Sequence, residues 1–378
     1  MTANGSSKIS AALLILLFAA GLLVGGIGIY FLSYRETSSL TNQVSNLQNQ
    51  VSDLRGFQNV TYQNINIQQN GTSLTKIYQG VKDSVVLIQG KTSSGTVQGS
   101  GFVYDFEGSP VVLTNYHVVQ DTTGLSVTFS NGNGFSAKVL GTDPYSDLAV
   151  VSVNNAPATE FKPVTIVSSS TLNVGESVIA IGNPYGLVGS LTTGTVSALG
   201  RTITEDTAQG YAIANIIQTS TPINPGNSGG PLLNAVGNVV GITTAIVSDS
   251  QGLGFAIPSN TILREISALV TTGTYHGHSY LGVTGQDMNY DTAQQTGASV
   301  TYGWKIATVV SGGPSDGKLN VDDIIIALNN QTIRNNDDLA SYLEEHTLPG
   351  DNLAITVIRG STQQNVNVVL EERPTATP

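Results

Sequence analysis

The stretch NPGNSGGPLL, Asn224 to Leu233, sets one serine, Ser228, in a run of glycine, asparagine and proline ahead of an apolar strand. Either Ser228 sits in an ordinary turn, or the glycines aim backbone N–H groups at a reacting oxygen beside a nucleophile. A serine hydroxyl reacts poorly at neutral pH. It needs a base within hydrogen-bond reach and a group that orients that base. The chain has 4 histidines. His276, His278 and His346 fall in a linker or in a second domain. His117, in VVLTNYHVV, directly follows a strand in the β-rich region that holds Ser228. Asp147, in DPYSDLAVV, opens another apolar strand of that region. Taken singly, His117 reads as a structural histidine and Asp147 as a turn residue. Together they form an ordered set of His, Asp and Ser in one β domain.

Gly226-Asn-Ser228-Gly-Gly230 also fits the nucleophile elbow G-x-S-x-G, which requires a strand before the serine and a helix after it. Pro231 and another strand follow here, so the elbow is disfavoured. Other chemistries are narrowed by composition. No cysteine is present, which excludes a thiol nucleophile and thiolate metal sites. The formal net charge is −11, which argues against nucleic acid as a partner. No glycine-rich loop feeds a helix from a strand, so no nucleotide or other cofactor is expected. His276-Gly-His278 offers two imidazoles with no third ligand in sequence reach; it reads as a solvated linker, with no metal.

The elements that must position these residues are short. Between Val81 and about Ile257, β-branched runs such as SVVLIQG, SGFVYD, PVVLTN, DLAVVSV, ESVIAIG and NVVGITTAIV alternate with Gly, Asn, Asp and Pro. That pattern predicts a sandwich or barrel system. A helix follows in PSNTILREISALVTTG, capped by Ser259 or Asn260. After a linker at 273–278, residues 279–372 read as a small α+β domain, with one clear helix at DDLASYLEEH and a tail at 373–378. At the other end, Ala11 to Leu32 has no charged residue. As a helix it would be roughly 33 Å long, enough to cross the hydrocarbon layer. An uncleaved anchor is preferred to a signal peptide, because the apolar run continues through Ile29, Tyr30 and Phe31. Residues 1–10 would then be cytoplasmic and the body extracytoplasmic. Within the stalk, 33–75, Leu40, Val44, Leu47, Val51 and Leu54 keep heptad spacing, either as a short coiled coil or as an unpaired spacer helix. Asn4, Asn59, Asn70 and Asn330 fit the glycosylation pattern, a hint of exposure only.

TNYHVV, YSDLAVV, GNSGGPLL and LGFAIP, in that order, resemble the HtrA/Deg family of chymotrypsin-fold serine proteases. The second domain, opening SYLGVTGQ, resembles the PDZ domain those proteases carry. The likeness spans roughly Val81 to Glu372. It implies a mainly β chain: a two-barrel chymotrypsin-like protease domain at 76–272, then a PDZ domain at 279–372, behind an N-terminal transmembrane helix. It also implies roles. Ser228 attacks the scissile carbonyl, His117 carries the proton, Asp147 orients the imidazole, and the N–H groups of Gly226 and Ser228 form the oxyanion hole. Unfolded or misfolded polypeptides as substrates and a homotrimer are further implications of the resemblance.

Five residues at three places depart from the pattern. Asn227 stands where digestive relatives have an aspartate that pairs with a newly cut N-terminus, so activation by propeptide cleavage is not expected. Ser220, Thr221 and Pro222 replace the Asp-Ala-Ala more usual ahead of Ile-Asn-Pro-Gly. Asp322 replaces a glycine. Pro222 also occupies the place where trypsin-like enzymes carry an acidic residue. Ile223 and the run Leu253, Gly254, Phe255 and Ala256 would line an apolar pocket, suited to a small or medium aliphatic P1 residue. In the second domain, Tyr280, Leu281, Gly282 and Val283 match a carboxylate-binding loop for peptide C-termini, with the peptide adding as a strand beside the helix Asp337 to His346. The rival reading is a non-catalytic chaperone or peptide-binding scaffold of the same fold.

Overall fold

The structure, a computed structural model, describes residues 73–93, 95–183, 189–204, 212–224, 226–244 and 253–374. The apolar segment at 11–32, the heptad stripe and the sequons at Asn4, Asn59 and Asn70 lie outside the described residues. Among the described residues, no helix is long and apolar enough to cross a membrane.

A short helix, α1 (Leu74–Val81), leads in and buries Ile77 and Val81, one turn apart. Six strands then close the first barrel: β1 (Val85–Thr92), β2 (Gly95–Phe106), β3 (Ser109–Thr114), β4 (Gly124–Thr128), β5 (Gly134–Asp143) and β6 (Leu148–Val153). Their order around it is β1-β2-β3-β6-β5-β4. A single helical turn, α2 (Tyr116–Val119), leaves β3. The second barrel has β7 (Ser177–Gly182), β8 (Ser190–Thr204), β9 (Ala212–Thr219), β10 (Pro231–Asn234), β11 (Val239–Thr244) and β12 (Gly254–Pro258), in the order β10-β11-β12-β9-β8-β7.

Continuous apolar runs form these strands because both strand faces are buried, and successive side chains point to opposite faces. Val86, Ile88, Val103, Val112, Ala149 and Val151 fill one cluster, made of first-barrel residues. Their neighbours Val85, Phe102, Leu113, Leu148 and Val150 pack with Ile179, Ile181, Leu233, Ile242 and Ile257 of the second barrel. Val178, Ala180, Leu232, Val240 and Ala256 belong to a third cluster, made of second-barrel residues. A one-residue register slip would therefore exchange a barrel core for the seam between barrels. Helix α3 (Ser259–Thr271) covers the seam with Ile262, Ile266 and Leu269. Its N-cap is Pro258 and no side chain caps it. Ser259 donates instead to the Val167 carbonyl at 2.5 Å, and the Asn260 side-chain oxygen accepts from Ser169 N at 3.1 Å. The two expected caps thus tie the helix to a neighbouring loop.

The second domain begins with β13 (Ser279–Tyr280) and β14 (Val283–Asp287), then α4 (Tyr290–Thr296), β15 (Trp304–Val309), β16 (Ile324–Leu328) and β17 (Gln331–Thr332). Helix α5 (Asn336–His346) and strands β18 (Asn352–Arg359), β19 (Thr362–Val369) and β20 (Glu371–Glu372) complete it. Its sheet runs β14-β15-β16-β18-β19, so β14 is an end strand. Asn329 and Asn330, with φ 45° and 68°, make the two-residue turn between β16 and β17. Two positive φ values suit the right-handed twist of a hairpin, and asparagine tolerates them. Asp322 has φ 71° and its carboxylate accepts from Lys305. The position that departs from glycine keeps a left-handed backbone, which aspartate bears better than most residues.

The linker histidine His278 is not solvated. It is 4% exposed and pairs with Asp143 and Glu344. The sequence could not show this, because the partners are 135 and 66 residues away. His276 does stay exposed, paired with Glu372. Helix α5 also meets the second barrel: the Asp337 carboxylate accepts from Thr202 N at 2.8 Å and Arg201 Nη1 at 3.0 Å.

Candidate active site

Asp147 sits in the turn between β5 and β6, fully buried, with φ 49°. That left-handed backbone is uncommon outside glycine and asparagine, and here the surroundings fix it. Its carbonyl accepts from Tyr116 N and Asn115 Nδ2, each at 3.1 Å. Its carboxylate accepts from His117 N at 3.0 Å and from Thr244 Oγ1 at 3.0 Å. His117 Nδ1 lies 2.9 and 3.0 Å from the two carboxylate oxygens. A carboxylate only accepts, so Nδ1 carries the proton in the neutral ring and Nε2 is the basic nitrogen, facing away from Asp147. The His117 side chain is 21% exposed while that of Asp147 is sealed.

Ser228 lies in the loop between β9 and β10, on the second barrel, yet the first barrel grips that loop. Ser100 N, on β2, donates to the Ser228 carbonyl at 2.7 Å, and Ser100 Oγ donates to the Gly226 carbonyl at 2.6 Å. Gly229 has φ 85°, and a Cβ there would meet the Ser100 carbonyl at 2.0 Å. The glycine is thus required for both conformation and space. The Asn227 carbonyl is turned inward, accepting from Thr243 Oγ1 at 2.7 Å and from Gly230 N at 2.9 Å. Across a trans peptide the next N–H points the opposite way, so the Ser228 N–H faces away from Thr243. A Cβ on Gly99 would meet the Val118 side chain at 2.7 Å and the Ser228 carbonyl at 3.2 Å. The Ser228 loop and the residue next to His117 therefore crowd the same point.

Asn227 is buried against Gly182, its side-chain oxygen without a hydrogen-bond partner. Around the departing stretch, Thr221 N donates to Thr219 Oγ1 at 3.1 Å, and Thr195 N to Ser220 Oγ at 3.0 Å. Ser220 thus knits this turn onto β8 and Thr221 onto the end of β9. Beside it, Gly254 packs so that a Cβ would meet Ile223 Cγ1 at 2.8 Å. Ile223 and Ala256 share the second-barrel cluster, whereas Phe255 points into the seam. Leu253 is exposed. Of the five residues expected to line one pocket, Phe255 thus points to the opposite face of its strand from Ala256.

In the second domain, Tyr280 is half-buried at the end of β13 and Leu281 is buried in the domain core. The Leu281 carbonyl accepts from Ser315 Oγ at 2.6 Å, and the Gly282 carbonyl from Val310 N at 2.9 Å. With both carbonyls turned inward, the N–H groups of Gly282 and Val283 turn outward at the end of the sheet. Asp287, closing β14, accepts from Asn336 N at 2.6 Å and so ties the strand to helix α5.

Thr244 and Ser100 did not stand out in the sequence. Each is a small hydroxyl residue in an otherwise apolar or glycine-rich strand, and that was the available signal.

With this geometry in place, comparison with known proteins is informative. The trypsin-like peptidase domain family matches residues 99–242, and the PDZ domain family matches residues 279–370. Protease Do-like 1 of Arabidopsis thaliana chloroplasts is 37% identical over 291 residues, covering 73% of this chain and 64% of the relative. Serine protease Do-like HtrA of Bacillus subtilis is 36% identical over 295 residues, covering 75% and 65%. The chain thus spans just under two thirds of the length of these curated relatives. Among solved structures, the HtrA-type protease AlgW with a tripeptide aligns with a TM-score of 0.64 at 30% identity, covering 79% of this chain and 97% of that one. The chain belongs to the HtrA-type family of trypsin-like peptidases that carry a PDZ domain.

Proposed function

We propose that this chain is a serine endopeptidase acting on unfolded or misfolded polypeptides, held at the outer face of a membrane by its N-terminal segment. The observation that carries the reading is the His117–Asp147 pair beside the GNSGG loop. The first barrel supplies base and orienter, the second supplies the serine, and Ser100 and Thr244 clamp the two together. In this reading Nε2 of His117 takes the Ser228 proton as Oγ attacks the scissile carbonyl, then gives it to the leaving amine. Asp147 keeps the tautomer and balances the imidazolium. The N–H groups of Gly226 and Ser228 receive the oxyanion; losing one such donor costs about 3 kcal/mol of transition-state stabilisation.

The P1 side chain would rest against Ile223 and the start of β12, a lining without charge that favours Val, Ala or Leu. A basic side chain would be desolvated without a partner there. The Tyr280–Val283 loop would receive a peptide C-terminus, with the peptide adding to β14. A homotrimer, as the family resemblance implies, would bring three sites together.

The test uses the full chain and its Ser228→Ala variant, each incubated with an unfolded protein such as casein, with fragments read by mass spectrometry. Cleavage after aliphatic residues by the unaltered chain alone supports the reading. Fragments ending in Lys or Arg overturn the pocket assignment. Binding without cleavage by either form replaces the enzyme with a peptide-binding scaffold.

A further inference from the structure

The junction between the barrels and the PDZ domain holds a second cluster of chemistry-bearing groups, unrelated to Ser228. Asp143 ends β5, Glu265 lies on α3, and His278 stands just before β13. Their exposures are 2%, 0% and 4%. One ligand-type atom from each lies within 4.8 Å of the other two.

Each residue is held by one of its polar atoms. Asp143 Oδ1 accepts from Tyr145 N at 2.9 Å, leaving Oδ2 inside, 2.5 Å from His278 Nε2. Glu265 Oε1 accepts from Ser146 Oγ at 2.9 Å and Arg264 Nη2 at 2.7 Å. Its Oε2 is buried with no hydrogen-bond partner. His278 Nδ1 faces Glu344 Oε2 at 3.1 Å. A metal-bound histidine ordinarily donates its second ring N–H to a carboxylate in this way.

Charge points the same way. Asp143, Glu265 and Glu344 face one guanidinium, Arg264, and one imidazole. With the imidazole neutral, two negative charges remain unbalanced in a dry setting. Two protons can cancel them. One divalent cation would cancel both charges at once and give Glu265 Oε2 a partner.

We propose that Asp143 Oδ2, Glu265 Oε2 and His278 Nε2 form a binding site for a divalent first-row transition metal, with zinc as the type. One nitrogen and two oxygens suit that class, and the group lacks the many oxygens calcium requires. Tetrahedral ligands at about 2.0–2.2 Å from zinc lie roughly 3.3 Å apart. The Asp143–His278 contact must therefore open by under about 1 Å, and Glu265 must close in. A cavity of about 190 Å³, lined by Asp143, Tyr145, Tyr275, His276, His278 and Arg373, adjoins the cluster and gives water and ion a route. The bound ion would join three elements, two from the protease body and one from the linker to the PDZ domain.

The full chain, stripped with a chelator, is dialysed against zinc, and bound metal per chain is measured by mass spectrometry. Cobalt(II) is loaded in parallel and its visible spectrum recorded. One zinc per chain, with the intense bands of low-coordinate cobalt, is expected. Glu265→Gln should weaken zinc binding at least about 100-fold, and Glu344→Gln, which keeps all three ligands, by about 10- to 100-fold. His276→Ala, an exposed neighbour, should leave the affinity within about threefold. Absence of zinc from the unaltered chain at micromolar concentration overturns the site and assigns the cluster to protons, with no variant required to fold. Zinc that survives Glu265→Gln, or is lost with His276→Ala alone, overturns it in favour of surface binding.

Discussion

Two histidine–aspartate pairs draw their aspartates from the end of β5 and the turn after it. Asp147 pairs with His117 and Asp143 pairs with His278, and the aspartates are four residues apart. The chemistry of the pairs diverges through their surroundings. His117 has one carboxylate on Nδ1 and 21% of its side chain exposed. His278 has a carboxylate on each ring nitrogen and is 4% exposed. Against the opposing effect of burial, the two carboxylates lift its pKa to about 10. The first pair meets a carboxylate at Nδ1 alone, whereas the second meets a carboxylate at each ring nitrogen. The lesson is that a His–Asp contact acquires a role from what occupies the second nitrogen, not from the contact itself.

Breaking each pair should give different signatures. Asp147→Asn leaves the fold in place but removes the acceptor that fixes the tautomer, so turnover of an unfolded substrate should fall about 10⁴-fold. Steady-state kinetics with circular dichroism on the same sample checks it. Asp143→Asn breaks a buried pair instead and should cost about 3–5 kcal/mol of stability, read as a lower Tm. An Asp143→Asn protein with unchanged Tm and turnover as low as Asp147→Asn would sink the comparison.

Gly229→Ala probes the loop between the pairs' two barrels. The new Cβ would strike the Ser100 carbonyl at a backbone angle that suits glycine, so a loss of at least about 2 kcal/mol is expected in denaturant titration. Thr244→Val removes one of the three donors on the Asp147 carboxylate and should lower kcat/KM by about 10- to 100-fold, since a hydrogen bond to a charged group is worth about 1.5–3 kcal/mol. The acid limb of the pH–rate profile should move with it, which a purely structural residue would not do. The smallest effect belongs to Arg334→Gln. Arg334 holds the Asp338 carboxyl below its ordinary range mainly through its side-chain hydrogen bonds. A depressed carboxyl contributes stability above its unfolded pKa and loses it as pH falls. Because Arg334 is largely exposed, the variant should cost under about 1 kcal/mol at pH 7 and nothing once Asp338 is protonated.

The sequence made several things legible without coordinates. The β-branched runs foretold a mainly β architecture, and the order of TNYHVV, YSDLAVV and GNSGGPLL foretold the family. Helices α1, α2 and α4 were not foretold. Helix α1 is 8 residues long, α2 is 4 and α4 is 7, and so short a pattern carries little helical period. Ile223 and Gly254 of the expected pocket do meet, but Phe255 turns to the seam, because strand faces alternate in a barrel buried on both sides.

What the sequence determined by itself was the inventory: many short β-branched strands, a small α+β module, one serine in a glycine turn and four histidines. Local pattern suffices for these, since strand period and turn chemistry are short-range. What only tertiary structure decided was pairing. It selected Thr244 for Asp147, Ser100 for the serine loop, and Asp143 with Glu344 for His278. Those partners lie 97, 126, 135 and 66 residues apart in sequence. A buried polar group must find a partner wherever the fold offers one. No local signal says which distant strand that will be.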